Sequence, residues 1–408
     1  MGIIDVAGRE TTGDTSFGAW REQAWQQVQQ PDWPVYDREA WRGTTVEPWL
    51  QFPRRWDAVA KVTGDVAGVP ELPCRVVVAN GRVADHRELP AAVGLGGWQD
   101  LTPAERATLG QGLPADGFTA LNQAAVPELL VVRVRGIPTH PVHLLHYSEG
   151  EAEPVLVCPR AVVMLAPGSH LTLVTEYRSS GVCGTNGVLE LHLAPGSQVE
   201  HYLIQQEAVT AVHLLRVVVH QPQDSHYRLW AMGAGAGWSR CEVWVEQTGA
   251  GATTQLRGLS LVGGQQHNDM HSVITHHQPR GVSRQVHKCV VAQQGQAVFH
   301  GTVRVKPAAQ GTDAGQINRN LLLSKQAKVD TRPQLAIQAD EVQCTHGATV
   351  SDLDPEMLFY LQSRGIDTQT ARLLLVEGFV QELVRELPFP TLRQSCQAWM
   401  HQLTEASP

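Results

Sequence analysis

VVMLAPGSHLTLVTEY (residues 162–177) and LELHLAPGSQVEHYLIQ (residues 189–205) carry the same punctuation twice. In each, an apolar run stops at Ala-Pro-Gly-Ser and another apolar run begins. The tetrapeptide Ala166–Ser169 returns at Ala194–Ser197, 28 residues later (194 − 166). Pro, Gly and Ser mark turns, and short runs rich in Val, Leu and Tyr read as strands. A period of this length in an all-strand region points to the coils of a β-solenoid. A β-sandwich built from the same short strands is the competing reading, and the residues alone leave both open.

The strand texture extends outward on both sides. LLVVRVRG, VHLLHYS, VHLLRVVVHQP and CEVWVEQTGAG all show it, and nothing between them is long and periodic enough for a helix. Residues 128–350 are therefore expected to form one strand-built core. Residues 1–127 read as a mixed, mostly helical domain, starting with a helix over Ser16–Gln30 capped by Ser16 and ended by Pro31 and Pro34. A Trp-rich irregular segment follows, with Trp33, Trp41 and Trp49. Asn80-Gly81 within CRVVVANGRV predicts a hairpin, Thr102-Pro103-Ala104-Glu105 a capping box, and DGFTALNQAAV a short helix. Residues 351–408 read as a helical region. Asp354, Pro355 and Gly365 bound a first helix, and Asp367 or Thr368 caps a second. The apolar face of the second is expected to hold Ala371, Leu374, Leu375, Gly378, Phe379 and Leu383, and a last helix spans Leu392–Leu403.

Composition narrows the function. The chain has 408 residues and a net charge of −8, with no Lys/Arg run, which argues against nucleic acid. No apolar run approaches the ~18 residues of a membrane span. The first residues, MGIIDVAGRETTGD, lack a basic and apolar leader pattern, and Val6 breaks the myristoylation pattern. The seven cysteines are scattered and form no CxxC pair, so neither a disulfide framework nor a zinc ribbon is expected, and a reducing, cytoplasmic location fits. Eighteen histidines favour metal handling. P-loop, GxSxG and Rossmann motifs are missing.

Two constellations carry possible chemistry. Cys344 and His346, in ADEVQCTHGATVSDLDPEMLFYLQSRG (residues 339–365), sit two apart on an expected strand, so thiol and imidazole face the same way. They form a soft donor pair for iron, zinc or an iron–sulfur cluster, yet closed metal sites use about four ligands. Further ligands would come from elsewhere in the fold or from another chain. The alternative is a buried Cys beside a hydrogen-bonded His. The second constellation is His267-Asn268-Asp269-Met270-His271, followed by His276 and His277. On a strand, His267, Asp269 and His271 share a face and could serve a free-standing metal-dependent β-helix enzyme. Against that stands the lack of a convincing general base.

CTHGATVSDLDPEMLFYLQSRGI and ARLLLVEGF resemble the C-terminal signature of the SufB/SufD family, the scaffold of the SUF iron–sulfur cluster assembly system. HNDMHSVITHHQP, SRQVHKCVVAQQGQAVFHGTVRV, GQINRNLLLSKQAKVDTRPQLAIQADEV and DGFTALNQAAV continue the pattern from about Asp116 to about Glu386. The resemblance implies a mainly β fold, a right-handed parallel β-helix flanked by helical N- and C-terminal regions. It implies a non-enzymatic scaffold that pairs with SufB through the core and binds the SufC ATPase through the C-terminal helices. Leu374, Leu375 and Phe379 are then expected docking residues. Leu361 stands where SufB members carry a cysteine, and HGATV replaces their HEATT, so the SufD branch fits better. On that basis Cys344 and His346 lie near the SufB interface, with His346 a metal ligand or iron-entry residue. A transient iron or iron–sulfur cluster is expected only in complex with SufB, and none on the chain alone.

Overall fold

The two Ala-Pro-Gly-Ser turns stack directly on one another. In the computed structural model, which describes residues 15–405 apart from 31–33, 35, 53–68 and 70, the Gly168 N–H donates to Pro195 O and the Gly196 N–H to Gln223 O, both at 3.1 Å. Gly168 and Gly196 adopt left-handed φ of +66° and +69°, which is why glycine recurs there. A third copy follows as Pro222-Gln223-Asp224-Ser225, with Asp224 at φ +52° in the glycine position. Asn and Asp tolerate this region best after glycine, so the repeat continues where its letters change. The expected break at Pro31 and Trp33 of the irregular segment lie outside the described residues.

In chain order, α1 (Thr15–Val28) and α2 (Glu47–Gln51) precede the hairpin β1 (Arg75–Ala79) and β2 (Arg82–Arg87), whose turn has Asn80 and Gly81 at positive φ. β3 (Val93–Gly96), α3 (Pro103–Arg106) and α4 (Gly117–Ala125) follow. The solenoid then takes β4 (Leu129–Val134), β5 (Val142–Val157), β6 (Arg160–Leu165), β7 (His170–His192), β8 (Gln198–Gln205) and β9 (Val212–Gln221). It continues through β10 (His226–Gly233), β11 (Trp238–Gln247), β12 (Thr253–Val262), β13 (His267–His276) and β14 (Val282–Val291). It ends with β15 (Gln296–Val305), β16 (Asp313–Leu322), β17 (Lys328–Ile337) and β18 (Gln343–Asp352). α5 (Pro355–Ser363), α6 (Thr368–Arg385) and α7 (Pro390–Glu405) close the chain.

Strands pair in parallel with the next but one. β8, β10, β12, β14, β16 and β18 make one face, and β9, β11, β13, β15 and β17 the other. The long β7 contributes its first half to one face and its second half to the other. This is the β-solenoid, not the sandwich. β1 pairs in parallel with β5, so the ladder runs through residue 127. Side chains alternate in and out. Leu173, Leu203, Leu229 and Leu256 from one face meet Leu215, Val217, Val245 and Ile274 from the other inside the coils.

Toward the C-terminal coils the interior becomes polar. Gln285, His287, Gln316, Asn318 and Asn320 are all buried there. Asn318 Nδ2 donates to His287 O at 3.1 Å, and Asn320 Nδ2 donates to Asn318 Oδ1 at 2.6 Å. A Cβ on Gly258 would meet His287 Nδ1 at 2.0 Å, so only glycine leaves room for that imidazole.

The outward faces are covered by the flanking helical parts. On the β9–β13 side, Trp41, Trp49, Phe118 and Leu121 pack against Leu214 and Trp238. A buried ionic chain reinforces this contact. Arg216 donates to Asp116 at 2.7 Å and to Glu242 at 2.9 Å. Arg240 then joins Glu242 (2.6 Å) to Asp269, which also accepts from Thr44 Oγ1 at 2.6 Å. Burial would raise the Glu242 carboxyl, but Arg216 and Arg240 hold it well below the usual range.

Two expectations shift by a residue or more. α1 begins at Thr15, so Ser16 lies inside it, and its hydroxyl accepts from Trp98 Nε1 at 2.8 Å. α6 buries Ala371, Val376, Val380, Leu383 and Val384, whereas Leu374 is 43% exposed and Gly378 is exposed. The run Leu373–Val376 offers two apolar stripes, and only the solenoid surface chooses between them.

Arg216→Ala leaves the buried Glu242 with Arg240 alone and takes away the ionic partner of Asp116. It should cost about 3–5 kcal/mol in urea unfolding, and a cost below about 1 kcal/mol would deny this chain of charges its holding role. Burial would raise Glu190, yet Arg160 beside it brings its carboxyl from 4.5 down to about 2. Its contribution is complete above the ordinary value and is lost as pH falls toward about 2. Glu190→Gln should therefore flatten that part of the acid limb of the melting temperature.

Candidate functional site

The last coil ends without a cover. β18 pairs only with β16, and β17 only with β15, so one edge of each strand has no partner among the described residues. Such an edge offers unpaired N–H and C=O groups to another chain. Buried residues are numerous in each strand from β6 to β16, but β17 and β18 have none.

Cys344 and His346 lie on β18 with the spacing the sequence predicts. Cys344 stands opposite Ala314 and is half-buried among Val303, Val305 and Leu335. His346 stands opposite Gln316 and is exposed. The reading of a buried Cys with a hydrogen-bonded His is thus replaced by a half-open thiol beside a free-facing imidazole. Burial, opposed by the Ala314 backbone contact and aided by Asp313, raises the Cys344 thiol above its ordinary value. The thiol is protonated at neutral pH and would release its proton on taking a metal. The two donors need help to close a coordination shell, and the open edge is where another chain can supply it.

His267, Asp269 and His271 share the outward face of β13, as alternation requires, but they do separate work. Asp269 is held by Arg240 and Thr44, and His267 Nε2 lies 3.1 Å from Thr44 Oγ1. His271 packs edge-on to His300 with centroids 4.6 Å apart, and burial with Arg240 nearby pushes its imidazole down to about 3. His276 contacts Ser283 and His277 contacts Glu246. Among the described residues, no group of three or more His, Cys, Asp and Glu is placed to hold a metal.

The sequence reading missed the surface of α5. Met357, Phe359 and Tyr360 are 50%, 71% and 52% exposed, and the helix buries nothing. The signal was present: five consecutive apolar residues, Met357–Leu361, cannot all face one side of a helix. Of the expected docking residues, Leu374 is exposed, while Leu375 and Phe379 are half-buried.

A parallel β-solenoid with an open, donor-bearing last coil and an exposed apolar helix beside it offers surfaces suited to assembly with other chains. Comparison with known proteins agrees. Residues 146–379 match the family described as SUF system FeS cluster assembly, SufBD core domain. An iron–sulfur cluster assembly SufBD family protein of Synechocystis is 34% identical over 366 residues, covering 82% of this chain and 80% of the relative. SufD of Escherichia coli is 28% identical over 397 residues, covering 93% and 92%. A chloroplastic protein of Arabidopsis thaliana, ABCI7, is 38% identical over 290 residues, covering 68% and 61%. The chain belongs to the SufBD family of iron–sulfur cluster assembly proteins. Among the described residues, no helix is long and apolar enough to cross a membrane.

All seven cysteines are free, and only Cys241 and Cys344 are not fully buried. Burial pushes Cys241 up to about 12, so Cys344 should be the first thiol to react. Ellman's reagent on the native protein should modify one thiol in a fast phase that Cys344→Ser removes.

Proposed function

We propose that this chain is the SufD-type subunit of a SUF scaffold. It pairs through its open last coil with a SufB-type sister and carries one SufC ATPase on α5 and α6. The unpaired β18 edge, with Cys344 and His346 on it, carries the reading. The iron or iron–sulfur cluster is cargo: it forms where the two subunits meet, and the sister chain supplies the missing ligands. His346 takes or admits iron, and Cys344 beside it offers a thiolate once metal displaces its proton. Leu361 in place of a cysteine and the HGATV sequence support the SufD rather than the SufB part. The exposed Phe359, Tyr360 and Leu374 supply the apolar centre that an ATPase contact needs. The seven free thiols suit a reducing compartment such as the cytoplasm. The chain itself performs no chemical step; nucleotide hydrolysis by SufC moves the scaffold.

Anaerobic co-expression with SufB and SufC, followed by sizing and iron and sulfide analysis, tests this. A complex with one copy of the chain should form, and His346→Ala should lower its cluster content without dissolving it. A lone chain whose bound metal survives His346→Ala and is lost in His267→Ala would overturn the reading. Phe359→Asp with Leu374→Asp should release SufC while changing unfolding free energy by no more than about 0.5 kcal/mol, as exposed substitutions do.

A further inference from the structure

α6 is joined to the outer surface of β10, β12 and β14 by polar contacts as well as apolar ones. Trp230 Nε1 donates to Leu383 O at 3.0 Å, and Arg228 and Arg257 converge on Glu386 at 2.8 and 3.5 Å. Lys288 of β14 differs from the two arginines because it is only 3% exposed. Its ammonium donates to Phe379 O at 2.8 Å and to Glu382 Oε2 at 2.9 Å, and it sits 5.4 Å from the Phe379 ring centroid. Lysine is almost never this buried unless paired. An apolar side chain would pack here at lower desolvation cost, so the charge earns its place by fixing geometry. The carbonyl of residue 379 and the carboxylate of residue 382 lie within one helical turn, so sliding or rotating α6 by one residue breaks both bonds.

The other end of this contact leads to the open coil. Lys288 is flanked by His287 and Cys289, which point inward, and His287 Nε2 lies 3.2 Å from Ser260 Oγ. In the ladder, Lys288 stands opposite Arg319 of β16, and Arg319 stands opposite Thr349 of β18. Asn320 Nδ2 also donates to Thr349 O at 2.9 Å. The strand bearing Cys344 and His346 is thus two ladder spacings, about 10 Å, from the strand that grips α6.

We infer that Lys288 is a positioning residue that ties the movement of α6 to the metal-handling end of the solenoid. The inference rests on the reading that an ATPase subunit docks on α5 and α6. When that subunit shifts α6, the buried Lys288 ammonium and its bonds to Phe379 O and Glu382 carry β14 with it, and the parallel ladder carries β16 and β18. Without the ammonium, α6 keeps its apolar seat and the ATPase stays docked, but the helix slips against β14.

The test uses the full complex with both partners. Lys288→Met should keep the complex intact and its ATPase rate within about twofold, while cluster formed per ATP hydrolysed falls about fivefold or more, the lower end of a typical coupling. Lys288→Arg should restore most of the yield. Glu382→Ala, whose side chain is 55% exposed, should fold in any case and shift the yield the same way. Wild-type yield per ATP in intact Lys288→Met and Glu382→Ala complexes would overturn the coupling and leave docking standing. A wild-type chain that retains no ATPase subunit would overturn both.

Discussion

Parallel backbone pairing is the constraint from which the rest of the molecule follows. A parallel strand needs a neighbour on each side, and a coil gives it one above and one below. That demand sets the period of 27 residues from His226 to Thr253 and 31 from Val282 to Asp313. It also ends badly, because the last coil must stop somewhere. The first coils are closed by the β1–β2 hairpin, which joins the ladder through β5. Among the described residues the last coil has no such closure, and Cys344 and His346 stand on it. The proposed pairing with a sister chain would therefore fall on backbone groups that the coil itself leaves without a ladder partner.

The flanking helices divide the labour by electrostatics. The N-terminal part is held by a buried chain of alternating charges, Asp116, Arg216, Glu242, Arg240 and Asp269. Such a chain adds little net stability over an apolar seam but tolerates no other alignment. It also explains why the most conspicuous polar cluster in the sequence, around His267–His271, does structural work. The C-terminal helices lie mainly on an apolar bed of Leu259, Leu261, Val290 and Trp230, with few ion pairs.

Much of this was legible beforehand. The doubled Ala-Pro-Gly-Ser, the Asn80-Gly81 turn, the capping box at Thr102 and the caps Asp354 and Asp367 all follow local rules, and local rules survive any tertiary setting. The third turn escaped because Asp224 replaces glycine while keeping its backbone shape. The choice between solenoid and sandwich needed the family resemblance, since both use the same short strands. The buried stripe of α6 was misplaced because a helix rich in leucine offers more than one apolar line. Cys344 and His346 were placed correctly on one strand face, but their exposure depends on β18 being last, which no residue in the strand announces.

The same exposure has a consequence for how the molecule breathes. Helices α6 and α7 clamp the outer surface of the middle coils, while β17 and β18 bury none of their residues. Free energy of local opening follows such burial, so the terminal coil is the low-stability end of an otherwise cooperative stack. A sister chain docked there, as proposed, would add the neighbours that β17 and β18 lack, so part of its binding energy would appear as stability of that coil. Pairing at this end would then act as a last step of folding shared between two chains.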